Sequence, residues 1–187
     1  KEESMKYVCC LLLMLFLSAS AQDYKSDFDK FSQEGDTTKQ IEILKKWEAA
    51  DPQNTELFTS YFNYYFQKSR QEGISLLNEQ PQGKSLVIQD STGKTAGYLG
   101  SSVYFNPDIL QKGFDKIDEG IKLYPNRLDM RFGKIYTLGQ TENWRLFTEE
   151  ILSTIQYSHR NDNQWTWTFN KKEENGKDFF LTSLQDY

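Results

Sequence analysis

Two short stretches carry residue types that could support catalysis or ligand binding. Gly93-Lys94-Thr95 matches the end of a phosphate-binding loop, but that motif requires a glycine five residues before Gly93, where the chain has Ile88. His159 is the single histidine and lies beside Arg160 in a polar stretch. It lacks the neighbouring carboxylate, nucleophile or second ligand that a catalytic or metal site needs. We therefore interpret the first stretch as a turn between strands and His159 as an ordinary loop residue.

A third stretch concentrates carboxylates on one predicted helix, where lysines alternate with them. The residues are Lys112, Asp115, Lys116, Asp118, Glu119 and Lys122. Alternating charge of this kind is typical of a solvated helix face. Since none of the three stretches pairs an acid with a base or gathers metal ligands, we expect a protein that is not an enzyme and that holds no cofactor and no metal.

The most unusual stretch is Trp165-Thr166-Trp167-Thr168-Phe169. Its alternation could form a strand whose aromatic face stacks on sugar rings, and Tyr98, Trp165 and Trp167 are then the candidate stacking residues. The other interpretation is a helix that packs both tryptophans against neighbouring helices, since aromatic side chains make large contributions to such cores. We favour the helix, and we keep glycan binding as the alternative function.

The N-terminal residues have the pattern of a secretory signal peptide. Lys6 precedes an apolar run from Val8 to Leu17, and small residues at Ala19 and Ala21 fit a cleavage site. The run is shorter than the roughly 20 apolar residues that span a bilayer. We expect residues 1–21 to comprise upstream residues and a cleavable signal peptide, with no stable membrane span after cleavage and with residues 22–187 as the mature domain.

The positions of the cysteines and the net charge limit the cellular compartment and the classes of partner that we expect. Both cysteines, Cys9 and Cys10, lie inside the apolar run, so the mature chain has no disulfide and no thiolate ligand. We expect a periplasmic or secreted protein of a Gram-negative bacterium. The net charge of −5 argues against nucleic acid and anionic membranes as partners, because both are held by clustered lysine and arginine.

Hydrophobic spacing predicts helices over most of the mature chain. Aromatic residues from Tyr24 to Phe31 recur at helical intervals, Gly35-Asp36 forms a turn, and Thr37 or Thr38 caps a second helix that ends at Asp51-Pro52. Asn54 or Thr55 caps a third helix that extends to about Ser69. That helix contains five rings that cannot share one face, so one or two should reach a groove or the next segment. These rings are Tyr61, Phe62, Tyr64, Tyr65 and Phe66.

An insertion interrupts the helices between about residues 70 and 106. Ser85–Gln89 and Thr95–Leu99 have strand-like composition on either side of a turn, which predicts a β-hairpin. Asn106-Pro107 then begins a strong helix that ends at Pro125. In that helix, Gly113 and Gly120 stand where a close helix approach requires small residues.

Further helices are predicted from Asp129 to Gly139, from Asn143 to about Ser158, and from about Phe179. The chain stops at Tyr187 in the middle of this pattern. Stacked helices need a polar capping helix at their end, so we expect the sequence to be truncated at its C-terminus.

Three motifs resemble the tetratricopeptide repeat (TPR) family. Phe58-x2-Tyr61-Phe62-x2-Tyr65 follows the spacing of the W-x2-L-G-x2-Y signature, Phe132-Gly133-x2-Tyr136 nearly reproduces its second half, and Gly113-x3-Ile117 with Gly120 and Pro125 resembles its second helix. The resemblance covers residues 24 to about 157. It departs from the family at Phe62 and Gln40, where small residues are usual.

The resemblance implies an all-α fold, a TPR-like helix-turn-helix repeat stack (α-solenoid) with an inserted β-hairpin. It also implies a non-enzymatic adaptor or scaffold that binds a protein or peptide in a concave groove. Family groove positions correspond here to Glu56, Thr59 and Asn63. A polysaccharide remains the alternative partner, through the aromatic residues named above.

Overall fold

The computed structural model describes residues 23–187, so the predicted signal peptide lies outside the described residues. The helices are α1 (Tyr24–Gln33), α2 (Thr37–Ala50), α3 (Thr55–Ser69), α4 (Pro107–Leu123), α5 (Leu128–Gln140), α6 (Trp144–Arg160) and α7 (Gly176–Leu184). The strands are β1 (Arg70–Leu77), β2 (Ser85–Gln89), β3 (Thr95–Phe105), β4 (Thr166–Trp167) and β5 (Lys171–Lys172), with a 3₁₀ turn at Thr168–Asn170.

The fold is mixed, and the expectation of an all-α repeat stack is wrong. The described part of the chain is 59% helical and 18% strand, with seven helices and two small antiparallel sheets. The physical reason is that two segments outside the helices pair with themselves through backbone hydrogen bonds. These segments are the insertion after α3 and the residues that follow α6. None of the helices between residues 23 and 187 is both long and apolar enough to cross a membrane.

Side chains cap five of the seven described helices, and Asn54 and Asn106 are caps at predicted positions. Asn54 accepts a hydrogen bond from the Glu56 backbone N–H at 3.0 Å, and Asn106 accepts one from Ile109 at 3.1 Å. At the second helix the predicted threonine caps are wrong, because Asp36 is the cap and accepts from the Lys39 N–H at 3.0 Å. These bonds satisfy backbone donors that have no partner within the helix.

Helix α3 is the centre of the helical body because its two sides pack into different clusters. Leu57, Tyr61 and Tyr64 join the cluster formed with α1 and α2. Phe58 and Phe62 face the other way, against Ile117 and Met130. One of the five rings reaches the insertion, as expected: Phe66 stacks on Phe105 of the sheet with ring centroids 5.4 Å apart.

The insertion between α3 and α4 is a three-stranded sheet rather than a single hairpin. The predicted β2–β3 hairpin is present, but β1 adds to it directly from the end of α3, and the strand order is β1-β3-β2. Gly73 and the β-branched Ile74 in β1 favour leaving the helix. The backbone N–H of Asn106 donates to the Ser69 carbonyl at 2.8 Å, so both ends of the insertion meet. Helices α3 and α4 can therefore pack side by side.

The residues after α6 do not form the predicted helix. Thr166–Trp167 is a short strand that pairs with Lys171–Lys172, and the chain turns at residues 168–170. Trp165 is fully buried in a third cluster with Phe132 and Phe180. Its indole N–H donates to the Ser158 hydroxyl at 3.0 Å. The last helix begins at Gly176, three residues before the predicted start.

The expected close approach at the α4 glycines is confirmed, and it leads to a test with a matched control. A Cβ at Gly120 would lie 2.8 Å from Phe58 Cβ and 3.0 Å from Met130 Sδ, whereas one at Gly133 would meet only Phe62 at 3.7 Å. We expect Gly120→Ala to lower the free energy of unfolding by about 1–3 kcal/mol through overpacking. Gly133→Ala should be neutral or stabilising by up to about 1 kcal/mol, because alanine favours the helix. Urea denaturation measures both, and equal effects would contradict the packing.

Candidate binding cleft

A buried arginine joins three separate segments of the chain. Arg127 precedes α5, and its side chain is 1% exposed. Its guanidinium donates from Nε and Nη2 to the two carboxylate oxygens of Asp129, at 2.8 and 2.7 Å. Its Nη1 donates to Glu56 Oε1 in α3 at 2.8 Å and to Asn170 Oδ1 at 3.3 Å. The planar fork of arginine suits this geometry, since two parallel bonds to one carboxylate leave Nη1 for another.

The charge of this arginine is maintained despite its burial. Burial acts to lower the pKa of Arg127, but the hydrogen bonds and negative charges of Asp129 and Glu56 outweigh it, so the pKa is raised. Glu56 is itself 3% exposed. A buried ion pair is tolerated only when its groups are paired and hydrogen-bonded, and here Arg127 is hydrogen-bonded to both carboxylates.

Glu56 also holds the turn that follows β4. The backbone N–H of Phe169 donates to Glu56 Oε1 at 2.8 Å. Phe169 and Asn170 have φ angles of 58° and 56°, in the left-handed region that side chains other than glycine seldom adopt. The turn exposes the Phe169 ring, which keeps 69% of its surface accessible. Bonds from buried groups therefore fix a strained turn that presents an aromatic ring to solvent.

The ring borders an open cleft between the N-terminus of α1, the α2–α3 connection and the turn. The cleft has a volume of about 470 Å³. Its lining residues are Asp23, Tyr24, Lys25, Trp47, Asp51, Asn54, Thr55, Glu56, Phe169 and Asn170. An adjoining depression places Phe169 beside Asp29 and Lys30 of α1. Aromatic, carboxylate and amide groups thus meet on one surface that is large enough for a short peptide or a sugar unit.

The three residues expected to line a peptide groove have different environments. Glu56 lines this cleft, but its carboxylate is buried and occupied by Arg127 and Phe169. Thr59 is half-buried, and its hydroxyl donates to the Glu56 carbonyl at 3.0 Å. Asn63 is exposed two turns along α3 from Glu56. Of these three residues, only Glu56 lies at the cleft, where its carboxylate accepts the Phe169 backbone N–H and so holds the turn.

The three candidate stacking residues are not brought together. Tyr98 is half-buried in β3, far along the chain from the tryptophans, and pairs with Leu77 and Val87. Trp165 is fully buried and has no face for a sugar. Trp167 is half-buried with its ring 5.1 Å from that of Phe179. The exposed ring of the aromatic stretch is Phe169, which the sequence interpretation did not select.

Known proteins do not identify this arrangement. Comparison with family models, curated proteins and solved structures finds no match to the chain. Within residues 23–187, no group of three or more histidine, cysteine or acidic side chains is arranged to hold a metal ion. Interpretation of the cleft therefore depends on its own geometry.

Sequence reasoning missed Arg127 and Phe169 for different reasons. Arg127 lies two residues before Asp129 in a stretch that scans as the start of a helix, and nothing local shows that its partner is Glu56. For Phe169, one signal was available. The following Asn170 tolerates the left-handed conformation, and so a turn at this point was a reasonable prediction.

The network around Arg127 leads to a prediction about the free energy of unfolding. Arg127→Met keeps the length of the side chain but leaves the buried Glu56 carboxylate without its cation. We expect it to lower the free energy of unfolding by about 3–5 kcal/mol, measured by urea denaturation. Adding Glu56→Gln to that variant should recover part of the loss, because one of the two carboxylates left without a cation is then removed.

The control is Arg145→Met, which breaks the exposed pair between Arg145 and Glu149, 2.7 Å apart. Exposed pairs contribute little, so its effect should stay within about 0.5 kcal/mol. A loss below about 1 kcal/mol for Arg127→Met would contradict a central role of the network.

Proposed function

We propose that this protein is an exported, non-enzymatic adaptor that binds a short basic peptide segment of a partner protein in the cleft beside Phe169. The observation that carries the proposal is the exposed Phe169 ring, held at the rim of the cleft by a buried carboxylate. The sequence expectation of an adaptor is kept, while the binding surface moves from a repeat groove to this cleft.

The backbone of the turn supports a role in binding. A non-glycine residue in the left-handed region costs about 1–2 kcal/mol, and such strain concentrates at functional sites. The Phe169 ring contributes little to the stability of the fold, because most of its surface faces solvent. Fixing an aromatic ring in advance lowers the entropy lost when a ligand orders it. The turn is thus better suited to recognition than to core packing.

Charge around the cleft favours a basic ligand. Asp23 and Asp51 line it, and each uses one carboxylate oxygen to accept a local hydrogen bond, from the Ser26 N–H and the Asn54 side chain respectively. A carboxylate has a second oxygen that can accept from a ligand. Lys25 also lines the cleft, but it is paired with Asp29 at 2.6 Å. The surface therefore offers more negative than positive charge to an incoming side chain.

The combination of a ring and carboxylates matches lysine or arginine. A cation over the face of an aromatic ring gains about 0.5–1 kcal/mol at an exposed site, and a nearby carboxylate adds a charge-assisted hydrogen bond. An extended peptide could place a basic side chain against Phe169 while its backbone bonds to polar groups of the rim. A protein of net charge −5 would also attract such a segment at long range.

Random peptide display against the immobilised protein tests the proposal. We expect enrichment of peptides that contain lysine or arginine, and binding of a synthetic consensus peptide should weaken at least about tenfold in Phe169→Ala, because the aromatic contact is lost. Binding should also weaken with added salt, as expected for exposed charges. Isothermal titration calorimetry measures both effects.

The matched control is Trp144→Ala, which removes another exposed ring, 60% accessible, away from the cleft. Its affinity for the consensus peptide should stay within about twofold of the parent. Failure to enrich basic peptides, or equal binding by Phe169→Ala, would refute the proposal. Saturable binding of oligosaccharides that is lost in Phe169→Ala would instead favour the glycan function, with Phe169 rather than Trp165 as the stacking residue.

A further inference from the structure

One face of the three-stranded sheet is aliphatic and uncovered. Residues that pair across antiparallel strands point to the same side, and side chains alternate along each strand. The register pairs Leu76 with Leu99 and Leu99 with Leu86, so these three leucines share a face. The same alternation places Arg70, Glu72, Gly97, Ser101 and Phe105 on this side. Its aliphatic residues, here called the aliphatic face, are Ile74, Leu76, Leu86, Ile88, Leu99 and Val103.

The other face of the sheet is different in composition and in covering. It carries Ser75 and Ser102, whose hydroxyls are 2.6 Å apart, two glycines, and the larger side chains of Leu77, Val87, Tyr98 and Tyr104. The β1–β2 connection folds over this side, because a Cβ at Gly100 would lie 2.8 Å from the Pro81 ring. The chain therefore covers part of this mixed face with its own loop and leaves the aliphatic face open.

The exposure of the aliphatic face is large for side chains of this type. Ile74 is 74% exposed, Leu86 68% and Leu76 64%. Val103 and Ile88 are 48% and 38% exposed. A small sheet gains its independent stability by burying one apolar face. Contiguous apolar patches of about 300–600 Å² on a folded chain are commonly functional.

We propose that the aliphatic face is the contact of a symmetric dimer of this protein, in which the sheets of two copies pack face to face. The six residues that define the face include no charged side chain, although the chain carries a net charge of −5. The charged neighbours on this side are Lys84, which lines a pocket with Ile74 and Leu86, and the Arg70–Glu72 ion pair. Two copies can therefore bury the six apolar side chains while these charges stay at the rim. A surface of aliphatic side chains can pack against a copy of itself, which a two-fold interface requires. Stacked sheets about 10 Å apart interdigitate such side chains.

The area is consistent with a dimer of modest affinity. Two patches of about 500 Å² each would bury about 1,000 Å² in total, which is at the lower end for a specific interface. Charged groups at one end of the same face, Arg70 and Glu72, already form an ion pair at 2.5 Å and so add little net charge to the rim. We therefore expect dimers at micromolar concentrations. This surface is separate from the Phe169 cleft, and either proposal can fail alone.

Sedimentation velocity over a range of protein concentrations, with the full chain, tests the dimer. The parent should change from monomer to dimer as its concentration rises. Leu86→Lys places a charge within the aliphatic face and should raise the dissociation constant at least about tenfold. Since Leu86 is already exposed, circular dichroism should show that the variant keeps the parent fold.

Val87→Lys is the matched control, because Val87 adjoins Leu86 on the same edge strand, is 53% exposed, and points to the opposite face. Its dissociation constant should stay within about twofold of the parent. Loss of the dimer in both variants would indicate edge-to-edge strand pairing and overturn the proposal. A parent that stays monomeric, or a Leu86→Lys protein that dimerises like the parent, would also overturn it. All three proteins share the same N-terminal residues, so association caused by those residues would not distinguish them.

Discussion

The buried contact of Arg127 with Glu56 and Asp129 is the constraint on which the arrangement of the helices and the C-terminal segment depends. Each carboxylate comes from a different element, and removing Arg127 would leave both of them without their cation. Apolar packing alone would tolerate small rotations between α3 and α5. Hydrogen bonds at 2.7–2.8 Å to a planar guanidinium tolerate far less. The network therefore sets where the turn at Phe169 sits, and through it the shape of the cleft.

The helices were predictable from sequence because their determinants are local. Caps such as Asn54 and Asn106 precede apolar residues at helical spacing, and the glycines of α4 mark its contact with α3. The β2–β3 hairpin was also recognisable, because its two strands flank a turn. The pairing of β1 with β3 was not, because it joins residues up to 35 positions apart, as in Arg70 with Phe105. Because β1 follows α3 without a break, no turn residue marks the start of this strand. This is one reason why the all-α expectation was wrong.

The candidate site was less predictable, since it depends on contacts between distant segments. Glu56 was selected from family groove positions, yet its role is set by Arg127, 71 residues away, and by Phe169, 113 residues away. Trp165 was chosen for its size and chemistry, and that same size makes it the centre of a buried cluster. Alternation of aromatic and threonine residues does not reveal which ring is buried. Burial of Trp165 is favoured by Ser158, whose hydroxyl accepts the indole N–H.

The two proposed surfaces lie at opposite ends of α3. Glu56 is in the first turn of this helix, and the sheet begins where the helix ends, so its 15 residues separate them by about 22 Å. Pairing two copies through the aliphatic face would therefore leave both clefts open. A dimer with two clefts would bind a partner that carries two basic segments more tightly than one cleft can, provided that the segments span the distance between the clefts, because the second contact becomes intramolecular. Weak association of the sheets and weak recognition of each segment would then reinforce each other without any additional contact.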